Sequence, residues 1–188
     1  PFATSYIPTN GSISTRLQDK IINAGSIDTI NSEEGVLYFE GASINRIESN
    51  GSKRIVIADG NSQIDFQVLL IFNNTGVGKL GMLIMVDGVF VINKTINLGV
   101  NLLNKIAFVW SSEEVTYYIN GVQGVISLGV TIPPNSLNTL SLNNGLEGSY
   151  FFGKTKELRV YKTQEDANKD LPYIIPFDAD FLQSYKDF

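Results

Sequence analysis

The chain has 188 residues, 43% of them hydrophobic and 18% charged, with a formal net charge of −5. That length suits one all-β domain, and abundant apolar residues at low charge density separate it from disordered chains. An acidic balance without clustered Lys and Arg argues against a nucleic acid or an anionic membrane surface as partner, and leaves neutral glycans open.

Cysteine and histidine are both absent. Without cysteine there is no disulfide framework, zinc thiolate site or thiol nucleophile, and the redox compartment stays open. Without histidine the commonest general base and transition-metal ligand are missing, so any catalysis would fall to carboxylates. No run reaches the roughly 18 apolar residues of a membrane span, and the opening "PFATSYIPTN" has neither a basic region nor an apolar one, which reads as a soluble chain. Its start at Pro1 reads as a processed product or a piece of something longer.

Short apolar runs separated by turn dipeptides set the rhythm. Asn10-Gly11, Asn50-Gly51, Asp59-Gly60, Asp87-Gly88, Asn120-Gly121 and Asn144-Gly145 supply the positive φ values of type I′ turns. In chain order, strands are predicted over 12–17, 35–44, 53–58, 63–72, 79–86, 89–93, 105–110, 115–119, 122–128, 136–142 and 152–161, rich in β-branched and aromatic residues. Eleven strands with this spacing imply an antiparallel sandwich of two sheets. In "EVTYYING", Val115, Tyr117 and Ile119 share the core-facing side, with Thr116, Tyr118 and Asn120 opposite. "KIAFVW" is apolar on both faces, as a central strand should be, and Trp110 shares the face of Ile106 and Phe108.

A short helix is predicted over 164–171, with Glu165 and Asp166 in its first turn and Pro172 just beyond. The chain therefore divides into a sandwich over 1–163 and a helix with an aromatic tail over 164–188. A tail so rich in aromatics packs on the domain, docks on a partner or mediates self-association.

The run "NKIAFVW…EVTYYINGV…LNTLSLNNG…FFGKTKELRVYKT" over 104–163 resembles the C-terminal half of laminin-G-like domains of the concanavalin A-like lectin/glucanase superfamily. The resemblance lies in Tyr118 to Gly121, Leu140 to Gly145, and Phe152, Gly153, Glu157, Arg159 and Tyr161. The opening "ATSYIPTNGSISTR" over 3–16 is similar to the start of such domains in bacteriophage virion and tail proteins. After Arg16 the phage form continues Ala-Ala-Asp, whereas this chain has Leu17, Gln18 and Asp19, departing at the first two positions. The resemblance implies an antiparallel jelly-roll β-sandwich of two curved sheets, carried on a virion as a tail, fibre or capsid-decorating module.

Aromatic faces stack on sugar C–H patches while amides and charged groups bind hydroxyls, so Trp110, Tyr118, Asn120, Arg159 and Tyr161 are the candidate glycan-binding residues. The competing structural reading has Trp110 in the core or at its rim, Tyr118 and Arg159 fixing the hairpin, and Arg159 pairing with Glu157. Glycanases of the superfamily place carboxylates in a Glu-x-Asp-x-x-Glu strand. Here "EEGVLYFE" offers only Glu33, Glu34 and Glu40, so no catalytic residue is assigned. Asp19, Asp28, Asp59 and Asp87 are loop carboxylates without a dense calcium-loop pattern, and neither a metal nor any other cofactor is expected. The functional expectation is a non-enzymatic virion domain that recognises a host-surface glycan or serves as a structural module with other virion proteins. The alternatives are a secreted or cell-surface bacterial carbohydrate-binding module and a divergent glycanase using Glu40.

Overall fold

The structure, a computed structural model, describes residues 21–43, 52–60, 65–99, 103–144 and 149–172. The predicted strand over 12–17, the turns at Asn10-Gly11 and Asn50-Gly51, Asp19 and the tail over 173–188 lie outside them. The described strands are β1 (Gly35–Ser43), β2 (Lys53–Ala58), β3 (Gln67–Phe72), β4 (Lys79–Val86), β5 (Val89–Asn97), β6 (Asn104–Trp110), β7 (Glu114–Ile119), β8 (Val122–Leu128), β9 (Thr139–Ser141) and β10 (Gly153–Tyr161). One helix follows, α1 (Gln164–Asp170). Two five-stranded sheets form, in the orders β10-β1-β6-β7-β8 and β5-β4-β3-β2-β9, with every strand pair antiparallel. The chain passes between them as β1, then β2–β5, then β6–β8, then β9, then β10, which is the jelly-roll path its alternating pattern implies.

Side-chain parity fills the space between the sheets. Leu37 and Phe39 of β1 and Ile106, Phe108 and Trp110 of β6 face Ile55, Ile57, Val68, Leu70, Leu80 and Met82 from the other sheet, all buried. Burial of each such side chain contributes about 1.5–3 kcal/mol before conformational entropy is counted. At one end Phe39, Phe72 and Phe151 meet edge to face with ring centroids 5.3 Å apart. Lys53 points inward beside them, buried, and its Nζ has no hydrogen-bond partner among the described residues.

Two hairpins close as the sequence requires. Asp87 and Gly88 (φ 50° and 73°) turn β4 into β5, and Asn120 and Gly121 (φ 52° and 84°) turn β7 into β8. Asp59-Gly60 differs. Its carboxylate accepts from the Asp65 amide at 3.0 Å and stitches a longer connection into β3. The strand predicted over 136–142 shortens to β9 because Ser136 N and Oγ both bond the Pro133 carbonyl, holding a turn where two prolines offer no ladder donors. Pairing with β4 as far as Lys79 extends β5 to Asn97.

Both sheets are apolar on their outer faces as well. Val36, Tyr38, Ala107, Val109, Tyr118 and Tyr161 lie on the first sheet in one buried cluster with Ala167 and Leu171 of the helical segment. Thr163 caps α1 by accepting from the Asp166 amide, Glu165 and Asp166 occupy its first turn, and Lys169 pairs with Glu165 at 2.9 Å. On the second sheet Val56, Ala58, Leu69, Ile71 and Leu83 are buried.

The two long edges differ. On one side the stretch 21–24 runs beside β9, bridging at Ala24 and Leu140, and β10 carries Lys154, Lys156, Glu157 and Arg159. On the other, β5 and β8 are the outermost strands of their sheets and touch one another.

Candidate functional site

The stretch before β1, the turn after Ile132 and the junction of β10 with α1 converge on a cleft of about 250 Å³. That is just below the usual range for small-ligand pockets, room for a single sugar ring rather than a chain. Its floor is Ser32, buried and tied from two directions. Trp110 Nε1 donates to the Ser32 carbonyl at 3.1 Å, and the Leu137 amide donates to Ser32 Oγ at 2.9 Å. Asn31 fixes a wall, its Nδ2 donating to the Lys162 carbonyl at 3.2 Å and its Oδ1 accepting from the Glu33 amide at 3.1 Å. Ile30 is held by a hydrogen bond that its backbone N–H donates to the Ser26 carbonyl, 2.9 Å. Opposite, Asn135 stands at φ 60° beside Pro134.

With the backbone fixed this way, Glu33, Asn135 and Lys162 line the mouth as exposed polar side chains. Neither Glu33 nor Lys162 forms an ion pair with a described residue. Ile27 and Pro134 supply apolar C–H surface between them. Such a cleft can accept and donate hydrogen bonds to a polyhydroxylated ring while covering one apolar face of it.

The residues singled out from sequence lie elsewhere. Trp110 has no exposed surface and faces the core, so it supports the cleft through Ser32 and offers no ring to a ligand. Tyr118 lies in a cross-sheet row with Ala107, Tyr38 and Arg159, and is itself buried. Asn120 is occupied in its hairpin, Oδ1 accepting from the Lys105 amide at 2.9 Å and Nδ2 donating to Asn104 Oδ1 at 3.0 Å. Arg159 pairs with Glu157 and, at 3.2 Å, with Asp170, and donates to Tyr161 Oη at 3.1 Å. Burial raises the Tyr161 phenol pKa against the opposing pull of Arg159. Arg159 and Tyr161 are thus brought together at the foot of α1. Tyr118, on β7, stands three strands away from β10, roughly 14 Å at normal strand spacing.

The acids of "EEGVLYFE" separate. Glu33 lines the cleft, Glu34 precedes β1, and Glu40 lies mid-strand on the outer face. Glu40 is buried, accepting from Lys156 Nζ at 2.7 Å and from Tyr38 Oη at 3.3 Å. The Lys156 bond holds its carboxyl below the usual range despite the opposing cost of burial. Burial, reinforced by the Glu40 charge, pushes the Tyr38 phenol far up. Among the loop aspartates, the Asp28 amide donates to Ser26 Oγ, the Asp59 carboxylate accepts from the Asp65 amide, and Asp87 forms its hairpin. Among the described residues no three metal-ligating side chains gather.

Asn31, Ser32, Asn135 and Lys162 escaped the sequence reading, and Glu33 entered it only as a carboxylate weighed for catalysis. The local signals were an Asn-x-Glu Asx turn before a strand and a Pro-Pro-Asn turn, both of which also occur as plain loop chemistry.

No protein-family model matches the sequence, and no curated protein is significantly similar to it. Solved structures share its architecture. One is the heptameric SAP-like pentraxin from Limulus polyphemus, with TM-score 0.51 and 15% identity over 77% of this chain and 71% of that one. Another is domain 4 of an extracellular arabinanase from Geobacillus stearothermophilus, solved with arabinotriose, with TM-score 0.51 and 13% identity over 75% of this chain and 66% of that one. With two antiparallel five-stranded sheets traced in jelly-roll order, the chain has the concanavalin A-like fold.

Proposed function

We propose that this chain is a non-enzymatic glycan-recognition domain of the laminin-G-like kind, carried on a bacteriophage particle, which holds one sugar ring of a host surface in the Ser32 cleft. The observation that carries the reading is the cleft itself, with its backbone fixed from the core and Glu33, Asn135 and Lys162 at its mouth. A sandwich of this fold holds arabinotriose in the arabinanase domain, so the scaffold is compatible with a sugar. The phage setting is supported by the opening over 3–16. The non-enzymatic reading is supported by Glu40, held ionised by Lys156 on the outer face of the first sheet, where it does not line the cleft.

The test is a glycan array followed by titration calorimetry on the strongest hit. Losing a hydrogen bond to a charged group costs about 1.5–3 kcal/mol and a neutral one about 0.5–1.5 kcal/mol, so Glu33→Ala is expected to weaken binding about tenfold or more and Asn135→Ala by roughly two- to tenfold. Binding that both variants leave intact would remove the cleft from the reading. Cleavage of a soluble polysaccharide, abolished by Glu40→Gln, would replace it with a glycanase. Failure to bind any glycan, together with tight association with another virion protein, would leave a structural module.

A further inference from the structure

On the outer face of the first sheet, burial extends past the reach of the helix that lies there. Thr116 and Tyr118 of β7 are each 3% exposed, and Ala107 and Val109 of β6, which pair with them, are buried on the same face. Among the described residues α1 is the one element above this face, and it cannot shield all four. Its seven residues make a rod about 10 Å long and about 10–12 Å wide with side chains, packed chiefly on β1 and β10, while β7 lies roughly 14 Å from β10. The buried patch is also sharply bounded. Lys105 and Asn120 are exposed at one end of it and Glu114 at the other, and on β8 Gln123 and Val125 stand in solvent, Val125 at 57% exposed. Burial thus stops on three sides and continues only on the fourth, toward β1 and α1. What lies on Thr116 and Tyr118 arrives from the helix.

We infer that the patch is the docking site of the chain's own tail, which continues from α1 as a strap over β6 and β7. Leu171, at the end of the helix, already joins the buried cluster that holds Tyr38, Val109 and Tyr118, so the tail starts on this face. Its first five residues, "YIIPF" over 173–177, carry four large apolar side chains, and Pro172 and Pro176 turn that stretch away from helix toward extended backbone. Five extended residues reach about 16 Å, and β7 is two strands, about 10 Å, from β1. Other occupants fit less well. The stretch 1–20 joins the chain at Ile21, whose carbonyl accepts from the Leu142 amide next to β9, in the other sheet. A second copy would set a net charge of −5 against its like. With the strap in place, the outer face of β1, β6 and β7 is closed to a ligand, and the aromatic start of the tail serves the domain itself rather than a partner.

The chain has no cysteine, so a single introduced thiol reports on its own surroundings. In the full chain, Thr116→Cys is expected to react with iodoacetamide at least tenfold more slowly than Val125→Cys, its exposed cross-strand partner on the same face. Adding Ile174→Asp and Ile175→Asp should raise the Thr116→Cys rate tenfold or more and leave the Val125→Cys rate unchanged, whereas Leu17→Asp should change neither. Thermal melts show whether the sandwich stays folded in each variant. Independently of any loss of stability, Thr116→Cys combined with Ile174→Cys or Ile175→Cys should form an intramolecular disulfide on mild oxidation. Rapid labelling of Thr116→Cys in the full chain overturns the inference. So does protection that survives both tail substitutions without a disulfide forming, protection lost with Leu17→Asp, or protection that disappears on dilution, which would assign the patch to a second copy.

Discussion

Along β10, Lys154, Lys156, Glu157 and Arg159 carry charge, and Lys156 ties the strand inward to Glu40 of β1 while Arg159 ties it onward to Asp170 of α1. Along β8, seven residues carry no charge, and three large apolar side chains stand in solvent. Both strands end the same sheet and pair antiparallel with one neighbour. What separates them is what lies beyond. The β10 side leads into a capped helix whose Ala167 and Leu171 join a buried cluster with Tyr38 and Tyr161, whereas the β8 side leads to no described element. Polar chemistry on the first edge holds a part of the same chain. On the second edge, among the described residues, the apolar side chains stay in solvent.

The sharpest way to break this contrast is to place the same kind of change on each side. Ala167→Glu puts a carboxylate where the structure leaves no exposure, and it is expected to cost about 3 kcal/mol or more, seen as a large fall in the urea midpoint with loss of helical signal. Leu128→Lys, also an apolar-to-charged change, is expected to cost no more than about 0.5 kcal/mol, because the side chain is already in solvent. A smaller effect tests the polar edge. Arg159→Leu removes two ion pairs and the bond to Tyr161, all at a solvent-exposed guanidinium, so a fall in the urea midpoint well below that of Ala167→Glu is expected, and crosslinking of α1 to β10 should fall with it. Equal costs on the two edges would show that their chemistry does not divide as described.

The smallest effect lies in pH. The Glu40 carboxyl has a folded-state pKa below its unfolded value, chiefly through Lys156. Its contribution to stability is therefore present above the unfolded carboxylate pKa of about 4.3 and is lost as pH falls through the folded value. Glu40→Gln should flatten the acid limb of a stability–pH curve and leave its alkaline side unchanged. A curve identical to that of the parent would mean that the Lys156 bond does not persist in solution.

Much of this architecture is written locally. The I′ hairpins follow from Asp87-Gly88 and Asn120-Gly121, the helix from Thr163, Glu165 and Asp166, and the central place of β6 from a strand apolar on both faces. Trp110 shares the parity of Ile106 and Phe108, and the core reading of it follows. The cleft is not local. Ser32 meets Trp110 across 78 residues and Leu137 across 105, so its floor exists only once the sheets close. Edge status is equally invisible in "VQGVISL", because a strand's own pattern says nothing about whether a neighbour follows it. Tyr118 marks the remaining gap. Alternation put it on the outer face, but its burial depends on an apolar layer gathered from β1, β6, β10 and α1.

The bond between Trp110 and the Ser32 carbonyl has a practical consequence. The chain holds one tryptophan, sealed from water and fastened to the backbone beneath the cleft. Its emission is an optical gauge that needs no added dye: a blue-shifted band from an indole in an apolar setting, whose intensity follows any displacement of the loop above it.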